Sequence, residues 1–166
     1  MNIFWETIAH YNAGTWIFQV LITLIGIALT YLLFRNPTHK IKVAMKLYLI
    51  FLNVWTAAVY YIIYCEPRSY NNALAGFWGI MALFWIYDLK VNYTPFERTH
   101  KHTRLAMLLC SLPLAYPLFS LARGMSFPMM TSPVMPCSVA VFTIGLLLAF
   151  SKRVNIFLVM FLCHWA

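Results

Sequence analysis

Between Trp16 and Phe34 the chain reads WIFQVLITLIGIALTYLLF, 19 residues without a charged side chain. As a helix this stretch rises about 28 Å, which matches the roughly 30 Å hydrocarbon thickness of a bilayer. Apolar blocks of the same kind recur along the rest of the chain, separated by short polar breaks. The pattern predicts spans over 16–34, 43–65, 73–87, 105–122, 133–150 and 156–166. The last of these holds about 17 Å of helix. The sequence therefore predicts a sixth span that is cut short.

Composition excludes a soluble alternative. Of 166 residues, 63% are hydrophobic and 10% are charged, against roughly 45–50% and 25% in soluble domains. The expected fold is an all-α, polytopic transmembrane helix bundle forming one domain over 1–166, with the lipid bilayer as its partner. On a soluble chain the formal charge of +8 would point to nucleic acid. Here the positions of the cations explain it better, and no nucleic-acid partner is expected. The odd-numbered links carry Arg35, Lys40, Lys42, Lys46, Lys90, Arg98, Lys101, Arg104, Lys152 and Arg153, whereas the even-numbered links carry only Arg68 and Arg123. Because positively charged loops stay cytoplasmic, this distribution predicts an N-terminus outside. Residues 1–14 lack the basic flank of a signal peptide. Their pattern, Ile3, Phe4, Thr7, Ile8 and Tyr11 opposite Glu6 and His10, suits a separate short helix lying in the interface.

Polar positions within the spans fall on faces. Gln19, Thr23, Gly26 and Thr30 share one side of the first helix, and Asn53, Thr56, Tyr60 and Tyr64 share one side of the second. Such stripes should turn inward, where interhelical hydrogen bonding competes with ligand binding as their purpose. Gln19, Asn53, Tyr60, Tyr116, Thr143 and His164 are the candidate ligand-binding residues. Ala75 and Gly79, and Gly145 and Ala149, have the small-residue spacing that permits close helix approach. Asp88, Lys46 and Arg104 fall at helix ends, where they can snorkel or pair. No carboxylate is expected in the interior, which counts against an ion-coupled pump.

The fourth span holds Pro113 and Pro117 and should kink there. Before the fifth span lies FPMMTSPVMPCS. Its helix starts either with Ser132 as cap and Pro133 in the first turn, or at Pro136. Both starts leave Cys137 near the helix N-terminus. With Met129, Met130 and Met135 it forms a candidate soft-metal set for Cu(I), against which stands ordinary packing by methionine. No other cofactor is expected. Cys65 and Cys137 share the predicted outer side, so a disulfide is open if that side is oxidising. No cysteine or histidine spacing fits zinc.

Three segments, YNAGTW, YPLFSLARGMSFP and PCSVAVFTIGLLL, together with the span order, resemble a family of uncharacterised bacterial multi-pass membrane proteins known only as a domain of unknown function. In that family the last segment reads Gly-Val-Pro-Cys-Pro-Thr followed by Phe-Thr-x-Gly-Leu-Leu. Pro136, Cys137, Phe142, Thr143, Gly145 and Leu146 match it, while Ser138 replaces the second proline. Met125 stands where the family carries a histidine. The resemblance implies the bacterial cytoplasmic membrane and no particular activity.

The favoured reading is a small permease or channel-like protein. Next come a binding or assembly subunit without transport, docked to another membrane protein or to a second copy, and a soft-metal or thiol-redox protein using Cys137. A lipid-modifying enzyme ranks last, because no set of nucleophile, base and carboxylate can be assembled. Reporter tags inserted after Phe34 and after Arg68 should be found in opposite compartments. Detection of both in the same one would overturn the span order.

Overall fold

The computed structural model describes residues 3–65, 70–99, 102–152 and 154–165, and among them all regular structure is helical. In chain order the helices are α1 (Ile3–Arg35), α2 (His39–Trp55), α3 (Asn71–Val91), α4 (Thr103–Ala122), α5 (Pro136–Phe150) and α6 (Ile156–Trp165). Helix α2 continues without a break into a π-helical segment, Thr56–Tyr64. Four helical stretches, α1, α2 with its π segment, α3 and α4, are long and apolar enough to cross a membrane. Helices α5 and α6, of 15 and 10 residues, are shorter.

Burial is inverted relative to a water-soluble bundle. Along α1, Trp16, Ile17, Phe18, Leu21 and Leu24 are each more than half exposed, while Asn12, Thr15 and Gln19 are buried. Asn53 and Thr56 of the second stripe are also buried, as is Thr143 of α5. A chain that turns many apolar side chains outward and several polar ones inward is compatible with an apolar solvent. Residues 3–14 form no separate segment. They continue α1 as one helix of 33 residues, about 50 Å long, because Thr7, Ile8, Tyr11 and Asn12 bury one face against the rest of the bundle.

At the end of the bundle where the cationic residues gather, here termed the basic end, an ion pair joins α2 to α3. Lys46 Nζ lies 2.9 Å from Asp88 Oδ2 and donates to the Asp88 carbonyl and to Asn92 Oδ1 at 3.1 and 2.9 Å. The other carboxylate oxygen accepts from the Thr94 amide at 2.8 Å. Of the two expectations for these residues, snorkelling or pairing, the pair is what forms, and its burial corrects the expectation that no carboxylate lies in the interior. The reason is that α3 runs to Val91, and the link after it folds back over the charges. Asn92 makes that reversal: at φ +53° it closes α3 in the left-handed conformation that asparagine tolerates, its amide donating to the Asp88 carbonyl. Phe96, fully buried, then stacks on Trp85 at 6.2 Å. Thr99 binds the Leu148 and Ala149 carbonyls, which would otherwise be unsatisfied at the end of α5. Nearby, Lys152 hydrogen-bonds Glu97 and thereby holds its carboxyl below the usual range; the pair is exposed and contributes little to stability.

At the opposite end, α1 holds the methionine- and proline-rich link between α4 and α5. Asn12 Nδ2 donates to the carbonyls of Pro128 and Met130 at 2.8 and 2.7 Å, and Tyr11 donates to the Val134 carbonyl at 3.2 Å. Gln19 orients Asn12 by donating to its Oδ1, and also donates to Thr15. Trp55 donates its indole N–H to the Tyr11 hydroxyl at 2.9 Å. Helix α5 starts at Pro136, the second of its two expected starts; in the link before it Ser120 bonds Thr131, and the Ser138 hydroxyl bonds the Ser132 carbonyl.

Helices α4 and α5 pack most extensively of all pairs, and Gly145 allows it. A Cβ there would stand 2.8 Å from both the amide nitrogen and the sulfur of Cys110. The parallel expectation for Gly79 fails, because the space beside it is open. Helix α4 runs unbroken through Pro113 and Pro117.

Lys46→Met should lower stability by about 3–5 kcal/mol by stranding the Asp88 charge. Combining it with Asp88→Leu should recover most of the loss in thermal unfolding of detergent-purified protein. Asn12→Ala should cost about 1–3 kcal/mol and speed proteolysis within 123–135. Asn12→Asp, which has no N–H to donate, should be no better.

Candidate functional site

The faces of α1, α2, α4 and α5 enclose a cavity of about 380 Å³. Its α1 wall is the helical stripe Thr23, Gly26, Ile27, Thr30, Tyr31 and Phe34. Tyr48 and Leu52 of α2 and Val139 and Phe142 of α5 form the back. Met107, Cys110, Ser111, Pro113 and Leu114 of α4 face α1, and Pro133 and Val134 close the top. That roof stays in place because the Tyr11 hydroxyl bonds the Val134 carbonyl.

The shape of the cavity follows from residue size. Gly26 lets Tyr48 lie across α1, its hydroxyl donating to the Ile22 carbonyl at 2.9 Å, and a side chain at position 26 would collide with that hydroxyl. The Tyr48 ring meets Phe142 edge-on at 6.4 Å. Helices α1 and α4 are not among the well-packed pairs, and the space between them is the cavity. Leu52, Val134 and Val139 are buried at its back, whereas Ile27, Tyr31, Met107 and Leu114 are 40–57% exposed along its rim. The opening therefore faces sideways, between two long apolar helices.

Chemically the walls are almost wholly apolar. Thr23 spends its hydroxyl on the Gln19 carbonyl. Thr30 Oγ1 is out of contact with solvent and has no hydrogen-bond partner among the described residues. Tyr31 accepts a hydrogen bond from Arg35 at 2.8 Å. A volume within the usual 300–1,000 Å³ range, apolar walls and a few hydroxyls suit an apolar molecule better than an ion or a sugar.

None of the six ligand-binding candidates drawn from the sequence lines this cavity. Gln19 is committed to Asn12 and Thr15. Asn53 donates to the Leu49 carbonyl at 2.7 Å, and Thr143 to the Val139 carbonyl at 2.7 Å. Tyr60 packs edge-on against Tyr11 at 5.1 Å, in a cluster with Tyr61 and Tyr64 at the loop end. Tyr116 is half-buried on α4. His164 is exposed on α6 with its ring 6.0 Å from Phe77, since α6 presents Leu158 and Leu162 to the bundle.

The soft-metal candidates lie in unlike surroundings. Met135 is buried and its sulfur accepts from the Ser132 amide at 3.3 Å. Met129 and Cys137 are exposed, and Met130 is half-buried with its carbonyl bound by Asn12. Cys65, half-buried, donates to Asn71.

The sequence missed Tyr48 and Cys110, and the burial of the Lys46–Asp88 pair. A signal for Tyr48 existed, since Gly26 interrupts the bulk of the first span, but its partner lies 22 positions away and no local spacing links them.

No curated protein and no solved structure shows a significant match to the chain. The model of a family of unknown function, DUF6064, matches residues 1–166. The match covers the whole chain, so the protein belongs to the DUF6064 family.

Proposed function

We propose that this chain is an integral membrane protein that binds an apolar, lipid-like molecule in the cavity between α1 and α4. The molecule enters sideways from the bilayer core. The observation that carries this reading is the cavity itself: about 380 Å³, apolar-walled, buried at the back and exposed at a rim between two long apolar helices. Inverted burial and four helices long enough to cross a membrane support the bilayer as its solvent. The charge distribution supports a basic end in the cytoplasm and an N-terminus outside, in a bacterial cytoplasmic membrane.

A permease for a polar solute is the weaker reading. Such a path needs polar side chains that face a passage, and several of those on α1 and α2, Gln19 and the Asn53 amide N–H among them, are spent on bonds within the bundle. The copper reading would have to share the Met135 sulfur with the Ser132 amide, from which it accepts.

Organic extraction of the purified protein, followed by mass spectrometry, should recover an apolar molecule in near-stoichiometric amount. With Cys65, Cys137 and Cys163 changed to serine, N-ethylmaleimide should label Cys110 several-fold faster after that molecule is stripped away. Absence of any retained apolar molecule, with Cys110 equally reactive in both states, would overturn the proposal.

A further inference from the structure

We propose that the molecule held between α1 and α4 is a lipid with an anionic headgroup, its chain in the cavity and its headgroup between Arg35 and Arg104. This inference rests on the cavity reading and adds the chemistry of the polar end.

Both walls of the opening run to an arginine at the basic end of the bundle. On α1 the rim residues Ile27 and Tyr31 are four apart, and the next position in that row is Arg35. On α4 the row Leu114, Ser111 and Met107 steps by three and four, and one turn further along it stands Arg104. The two guanidinium groups thus flank the same end of one slot. Arg35 is already drawn toward it, with Nη1 donating to the Tyr31 hydroxyl at 2.8 Å.

Nothing nearby neutralises them. Among the described residues the carboxylates at this end are Asp88, buried with Lys46, and Glu97, held by Lys152. Neither pairs with Arg35 or Arg104. An apolar slot continued by two exposed cations, without acidic partners, matches an amphiphile whose charged end is negative. Guanidinium groups suit phosphate in particular, because their planar N–H donors can bind two of its oxygens at once. A zwitterionic lipid would fill the slot but bring its own cation beside the two arginines.

The test uses the full-length protein in mixed micelles with phosphatidylglycerol and phosphatidylcholine carrying identical palmitoyl and oleoyl chains, the bound lipid being counted by native mass spectrometry. One phosphatidylglycerol per chain should be retained in preference to phosphatidylcholine. Arg35→Gln combined with Arg104→Gln should weaken its retention roughly tenfold or more and affect phosphatidylcholine, whose choline cation offsets its phosphate, much less. Arg35→Lys with Arg104→Lys should keep most of the preference. Ser111→Trp, which fills the slot from α4, should reduce retention of both lipids. Monodisperse elution and an unchanged helical spectrum establish that each variant folds.

Equal retention of the two lipids, or an unaltered preference in the glutamine variant, overturns the headgroup assignment and leaves the apolar cavity standing. Retention of neither lipid by the wild type overturns both. Glycerol 1-phosphate displacing the lipid at equal concentration would mean that the arginines bind a free anion, and would also overturn the inference.

Discussion

Asn12 supplies both N–H groups of its amide to carbonyls of a link more than a hundred positions away in sequence. In an apolar solvent an irregular segment such as 123–135 persists only if protein satisfies its backbone groups, because lipid offers none. Asn12, Tyr11 and the Ser120–Thr131 contact do this. The link can then lie over the bundle and let α5 begin as late as Pro136. Its last residues, Pro133 and Val134, roof the cavity. The Asn12 bonds, with those of Tyr11 and Ser120, fasten that roof to the bundle.

The other end is fastened by charge. A buried ion pair is poor evidence of net stability, since desolvation offsets most of the attraction. Its value here is geometric. Lys46, Asp88, Asn92 and Thr94 bind one another only when α2, α3 and the returning link are in register. The register delivers Phe96 beneath Trp85 and Thr99 to the open carbonyls of α5. Both ends of the bundle are thus closed by polar contacts spanning distant parts of the chain. Between them, α1 and α4 touch little and leave a gap.

The helices were readable because apolar runs, cations and prolines are local signals. The stripes Gln19–Thr30 and Asn53–Tyr64 turn inward as the spacing predicts, with Gln19, Gly26, Asn53, Thr56 and Tyr60 buried. Their purpose was not readable. Whether Asn53 meets a ligand or its own Leu49 carbonyl depends on a rotamer, and sequence spacing is silent on that. Asp88 was misplaced for a similar reason: a charge near a helix end looks accessible until the following link is known to fold back over it. The cavity is a property of four helices together, and of two glycines, Gly26 and Gly145, whose contacts come from other helices.

The same observations explain why polar residues abound in the core without marking a polar path. Threonine and asparagine on a membrane helix find acceptors within their own helix, as Thr15, Thr23, Asn53 and Thr143 do on carbonyls four residues back. A hydroxyl bonded in that way has spent its one donor, although Asn53 keeps an amide oxygen without a partner among the described residues. A wall of such residues is apolar in effect, whatever its sequence suggests. Thr30 departs from this rule, with a buried hydroxyl that finds no acceptor on the helix behind it. In the slot bounded by Tyr31 and Cys110 it is the one wall hydroxyl among the described residues without a bond, and because its oxygen is also out of contact with solvent, the wall presents carbon rather than oxygen there.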